Sequence, residues 1–185
     1  MRSSAPMATA ALLFGLAGGL AAQPCSDITR IDFRNSTIRT KQTGGILDSE
    51  FSFRKGVFNE MEEPGGSIVD WHFEITRDTI VHPAPNTTIR FIGISGNHLS
   101  GSGSRDYLIG FLCSDGAIEN IFQQNGEGMR VIALGPPSLQ LRFYVVKESD
   151  PHCCPSEQKD IWFSWDAASG TYVEKKQANR PLNAH

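Results

Sequence analysis

Most catalytic signatures are missing from this chain. There is no Gly-x-Ser-x-Gly elbow and no His-Glu-x-x-His run, so nothing in the sequence supports α/β-hydrolase or zincin chemistry. Cys-x-x-Cys is also absent, which removes the usual zinc and redox spacings. No Lys/Arg cluster stands out, and the formal net charge is −3 with a pI near 5.9. That balance argues against nucleic acid and against an anionic membrane surface as partners. Beyond the first two dozen residues, no apolar run approaches the roughly 20 residues that a spanning helix needs. Cysteine is scarce, with only four in 185 residues, and two of them are adjacent, in Asp150-Pro151-His152-Cys153-Cys154-Pro155-Ser156.

What is present starts with an export signal over residues 1–22. Arg2 supplies a positive start, residues 8–20 are apolar and uncharged, and Ala21-Ala22 closes the segment before Gln23. This is the layout of a secretory signal peptide. The apolar stretch, roughly 13 residues, is too short to span a bilayer. Gln23-Pro24 separates Ala22 from Cys25, so the cysteine does not sit where a lipoprotein carries its lipid. The expectation is a soluble exported protein, periplasmic or secreted, with no stable membrane insertion after signal removal. About 160 residues remain, enough for one domain with a real core.

In an exported chain, Cys25, Cys113, Cys153 and Cys154 most simply form two disulfides. Three pairings exist. One joins Cys153 to Cys154 and Cys25 to Cys113, closing a very small ring across one peptide bond. The other two send Cys153 and Cys154 to separate partners, and disulfide geometry favours that class. A metal site built from His152, Cys153 and Cys154 fits less well, because adjacent ligands rarely all turn toward one ion.

Between the cysteines the chain reads as strands and turns. In residues 67–75, Val69, Trp71, Phe73 and Ile75 alternate with Asp70, His72 and Glu74. In residues 139–145, Leu139, Leu141, Phe143 and Val145 alternate with Gln140, Arg142 and Tyr144. Both are period-two patterns of half-buried strands. Residues 88–94 and 129–134 give shorter strands. Residues 107–113 are almost wholly apolar, as in a central strand covered on both faces. Residues 160–166 and 171–175 flank Ala167-Ala168-Ser169-Gly170 as a hairpin. Residues 116–124 fit one or two helical turns or a continuing strand. Residues 38–48 read as a loop and 60–66 as a turn. The expectation is a mainly β fold (α+β possible): an antiparallel sheet of about 7–9 short strands, at most one or two short helices, stapled by disulfides. A single domain spans residues 23–176, and residues 177–185 form a flexible tail.

Candidate chemical groups are scattered. His72 lies on the polar face of its strand, His82 precedes Pro83, and His98 lies within the Gly/Ser-rich stretch 96–106. That stretch lacks the following helix and Lys of a phosphate loop, so it reads as a connection. Glu60, Glu62 and Glu63 read as solvating a turn rather than as a glycosidase acid pair. Asn35-Ser36-Thr37 and Asn86-Thr87-Thr88 match the N-glycosylation pattern.

Two stretches carry a family resemblance. Leu99-Ser100-Gly101-Ser102-Gly103-Ser104-Arg105-Asp106 leads into an apolar strand ending at Cys113, and Pro151-His152-Cys153-Cys154-Pro155-Ser156 leads into an aromatic strand with Trp165 and a Gly170 turn. Together they resemble the LppP/LprE lipoprotein family and related exported bacterial proteins. The resemblance implies an envelope location and no assigned activity. This chain departs from it in lacking the lipid-bearing cysteine. Its loop also has His98 and Ser102 where relatives have acids, leaving only Asp106 acidic. A Ca²⁺ site is therefore not carried over, and no catalytic, cofactor-binding or metal residue is assigned.

The sequence thus points to an exported, disulfide-stabilised, non-catalytic accessory or binding protein of unknown ligand. The alternatives are a hydrolase with a scattered active site, for which His72, His82 or His98 would have to converge with a carboxylate, and a carbohydrate- or ligand-binding module using exposed aromatics among Trp71, Trp162 and Trp165.

Overall fold

The computed structural model describes residues 25–41, 50–62, 69–99, 101, 103–151 and 154–182. The signal segment, His152, Cys153 and His185 lie outside them.

Among the described residues, two short 3₁₀ turns, Ile28–Arg30 and Phe33–Asn35, precede eleven strands: β1 Thr37–Arg39, β2 Glu50–Ser52, β3 Val57–Glu62, β4 Val69–Ala84, β5 Thr87–His98, β6 Ser104–Ser114, β7 Ala117–Gly126, β8 Arg130–Leu134, β9 Ser138–Val145, β10 Glu157–Asp166 and β11 Thr171–Pro181. The fold is mainly β, and every pairing is antiparallel. β3 to β7 form a five-stranded sheet in chain order. β8 to β11 form a four-stranded sheet, also in chain order, and β1–β2 is a separate pair.

The five-stranded sheet is covered on both faces, so the molecule has three layers. One face carries Trp71, Phe73, Ile75, Ile92, Ile94, Tyr107, Ile109 and Phe111, packed under Cys25, Ile28, Phe33, Ile38, Phe51 and Phe53 of the N-terminal segment. The other face carries Val81, Ile89, Phe91, Leu108 and Phe122, packed against Leu139, Leu141, Ile161, Phe163 and Tyr172 of the four-stranded sheet. Leu108 and Ile109 are neighbours in sequence yet lie in opposite cores, both with no exposed surface. That is why residues 107–113 lack a polar face.

On β4 the face taken by the odd-numbered residues changes part-way along the strand. A register shift between Ile75 and Arg77 inserts one residue. This bulge turns the second half of the strand over, so Val81 joins the opposite core from Trp71, Phe73 and Ile75.

The structure corrects several expectations. Of the two readings of residues 116–124, the strand holds and the helical turns do not: Asp115-Gly116, with φ of +50° and +79°, forms a two-residue hairpin between Ser114 and Ala117, and β7 follows. Positive φ at both corner positions is the turn that matches sheet twist, and Asp-Gly is its common sequence. Residues 37–39, partly within the expected loop, are strand β1, and 60–62, within the expected turn, end β3. β11 continues to Pro181, so the expected tail is strand as far as that residue. Several strands are also long, β4 reaching 16 residues.

The preferred disulfide pairing is likewise overturned. Cys25 is bridged to Cys113, with Cα atoms 5.5 Å apart. Neither is therefore available to Cys153 or Cys154. The physical cause is one long-range backbone contact: the Cys25 N–H donates to the Gly116 carbonyl at 2.7 Å, which lays Cys25 against the β6–β7 turn within bridging reach of Cys113. Cys154 is exposed, on the connection between β9 and β10.

A second fastening holds the same N-terminal layer. Arg90 on β5 pairs in bidentate fashion with Asp78 of β4, at 2.6 and 2.7 Å. Its Nη1 donates to the carbonyls of Ile28, Thr29 and Ile31 at 3.1, 3.1 and 2.6 Å. The guanidinium also sits 5.2 Å from the Phe33 ring centroid.

Candidate functional site

The histidines do not converge. His98 is the register partner of Trp71 and shares its sheet face; His72, one residue on, points to the opposite face. His72 Nδ1 is 2.8 Å from Asn59 Oδ1. His82 lies about ten residues further along β4, roughly 30 Å away, where its ring is 3.2 Å from the Thr88 hydroxyl. Glu60 and Glu62 fall on β3, and Glu63 is outside the described residues. Among the described residues no cluster of three His, Cys, Asp or Glu side chains is arranged to hold a metal ion.

The Gly/Ser-rich stretch is mostly strand. β5 runs through His98, β6 starts at Ser104, and the His98 N–H donates to the Gly103 carbonyl at 3.1 Å. Asp106 faces inward from it. Its carboxylate accepts from the Ser95 hydroxyl at 2.7 Å and lies near the N–H groups of Gly128 and Met129, which favour its charged form, while the Gly128 N–H donates to the Ser104 hydroxyl at 3.2 Å. Burial pushes its pKa above the ordinary value, against those hydrogen bonds. Asp106 thus holds the β7–β8 turn in place.

Of the tryptophans, Trp71 is core, 6% exposed, stacked on Phe73 and capped by the Arg105 guanidinium 4.2 Å from its ring centroid. Trp165 packs into the inter-sheet core against Tyr172, with ring centroids 5.6 Å apart. Trp162 differs: it sits on the outer face of the four-stranded sheet.

That outer face is the most chemically distinctive surface of the molecule. Alternation sends Leu139, Leu141, Ile161 and Phe163 inward and Gln140, Arg142, Tyr144, Gln158, Asp160 and Trp162 outward. β8 adds Arg130 opposite Arg142, and β11 adds Lys176 opposite Trp162 and Arg180 opposite Gln158. At the centre Asp160 has no exposed surface. It accepts from Arg142 Nε and Nη2 at 2.7 and 3.0 Å and from Gln140 at 3.4 Å, and Arg180 Nε stands 3.8 Å away. The Arg142 hydrogen bond is the largest cause holding the Asp160 carboxyl below the usual carboxylate range. Around this pair, Arg130 lies over the Tyr144 ring at 5.4 Å and Lys176 over the Trp162 ring at 5.1 Å.

Arg130, Lys176 and Arg180 therefore share a face with the Arg142–Asp160 ion pair, and Asp166 stands at its far end within Coulombic reach of Lys175, on a chain of net charge −3. No run of basic residues announces this, because the cations come from three separate strands. The available signal was the alternation itself, which marked Arg142 and Tyr144 as outward, together with the odd placement of a carboxylate at position 160 beside Trp162. A scan against protein-family models returns no match, and searches of curated proteins and of solved structures return none either.

Proposed function

We propose that this chain is an exported, disulfide-stabilised, non-catalytic binding domain that engages an anionic partner through the outer face of the β8–β11 sheet. The observation that carries this reading is the concentration of Arg130, Arg142, Lys176 and Arg180 with Tyr144 and Trp162 on one sheet face. The dispersal of the histidines supports it, since general acid–base work needs such groups within reach of one substrate. Export rests on the signal-like residues 1–22 and on the resemblance to LppP/LprE proteins. The Cys25–Cys113 bridge accords with an oxidising compartment, and among the described residues no helix is long and apolar enough to cross a membrane.

The face suits binding because its frame is rigid. Each side chain stands on a strand paired on one or both sides, and the ion pair of partly exposed Arg142 with buried Asp160 locks the centre. The test is calorimetric titration with a soluble polyanion at low and high salt. Salt-sensitive binding that weakens at least tenfold in the Arg130→Glu/Lys176→Glu variant is expected, since each lost cation removes a screened Coulomb contact. Binding unaffected by that variant places the partner elsewhere and overturns the reading.

A further inference from the structure

We infer that the partner of this face is an acidic polysaccharide, a chain of sugar rings bearing carboxylates; this rests on the binding-domain reading above. The argument comes from how the outward residues repeat. Across the β9–β10 pair, Gln140 faces Trp162, Arg142 faces Asp160 and Tyr144 faces Gln158. The antiparallel pairing thus places the same set twice, on either side of the central ion pair. Each set is an aromatic ring, an amide on the neighbouring strand, and a cation over the ring: Tyr144 with Gln158 and Arg130, Trp162 with Gln140 and Lys176.

Each member of the set matches one feature of a uronic-acid unit. The ring offers a flat apolar surface for the C–H face of a sugar. The amide can both donate to and accept from hydroxyls. The cation meets the carboxylate. An exposed cation–π contact is worth only about 0.5–1 kcal/mol, so moving Lys176 or Arg130 from the ring to a ligand carboxylate costs little and frees the ring face. The two rings are offset by four residues along the strands and by one strand across them, about 14 Å in all. One small anion fits one set; a repeating chain engages both.

Other polyanions lack part of this chemistry. A polypeptide acid has carboxylates but no sugar face to stack. A nucleic acid brings phosphates and bases, which stack on aromatics as well, so it must be compared directly.

The experiment measures binding of the folded, disulfide-intact protein to polygalacturonate, dextran, polyaspartate and a single-stranded oligodeoxynucleotide. Wild type, Trp162→Ala, Tyr144→Ala and Arg130→Glu/Lys176→Glu are compared, each first checked for an unchanged circular-dichroism spectrum. The expected result is binding of polygalacturonate at least tenfold tighter than of the other three probes. It should weaken at least fivefold in Trp162→Ala or in Tyr144→Ala and be lost in the charge-reversal variant. Polyaspartate bound equally well, with no effect of either aromatic variant, overturns the sugar assignment while leaving the anion-binding face intact. Tighter binding of the oligonucleotide transfers the face to nucleic acid. Binding of dextran alone, or no binding that depends on Arg130 and Lys176, overturns both this inference and the reading beneath it.

Discussion

The bridge between Cys25 and Cys113 should be worth a large share of the stability of this domain. It spans 88 residues of sequence. In the chain-entropy account, closing a loop of that length removes about 4.6 kcal/mol of freedom from the unfolded chain at 25 °C. Residual structure in the unfolded chain lowers this figure, and deletion of the buried Cys25 sulfur adds a small packing loss. The Cys25→Ala/Cys113→Ala variant is therefore expected to lose about 3–5 kcal/mol. For a chain of this size that corresponds to a fall in Tm of about 10–15 °C. The fold should survive, because Arg90 still ties the carbonyls of Ile28, Thr29 and Ile31 to β5. The assay is denaturant and thermal unfolding of both proteins followed by far-ultraviolet circular dichroism. A loss below about 1 kcal/mol would refute the claim that this bridge restrains the unfolded chain. A non-reducing peptide map linking Cys25 to Cys153 or Cys154 would refute the pairing itself.

Three further perturbations probe other parts of the structure. Arg90→Met should cost about 2–3 kcal/mol by stranding Asp78 and the three carbonyls; full stability in urea would show that the clamp contributes nothing net. Asp160 has a lowered pKa in the fold, so its ionised form contributes stability above its unfolded pKa, near 3.9. That contribution is lost as pH falls through the folded value. The Tm of wild type should therefore drop more steeply below about pH 4 than that of Asp160→Asn, and parallel acid limbs would contradict the assignment. A Cβ at Gly96 would stand 2.3 Å from the Phe73 ring, so Gly96→Ala should destabilise by about 1–3 kcal/mol through overpacking; an unchanged Tm would mean that the ring has room to move.

Much of the β architecture was legible because alternation is a local property. Residues 67–75 and 139–145 showed which side chains lie in and which lie out, and the apolar run at 107–113 announced a strand covered twice. The Asp115-Gly116 hairpin was also legible, but the apolar spacing of Ile118, Ile121 and Phe122 imitated a helix and obscured it. The bulge after Ile75 was not legible, since its inserted residue falls in the polar run Thr76-Arg77-Asp78-Thr79, where no apolar alternation marks the faces. The disulfide partners of Cys25 and Cys113 were beyond reach for a related reason. They depend on the Cys25 N–H meeting the Gly116 carbonyl, a contact between segments some 90 residues apart.

The candidate site divides the same way. By itself the sequence determined that Gln140, Arg142 and Tyr144 face away from Leu139, Leu141 and Phe143, because side chains on a strand alternate. It also determined the mainly β class, because apolar residues recur at period two. Only the tertiary structure decided which strands stand side by side. Register placed Asp160 against Arg142, Trp162 beneath Lys176 and Tyr144 beneath Arg130, and so gathered four cations from positions up to 50 residues apart. Pairing energy depends on contacts between distant segments, and no local pattern encodes those.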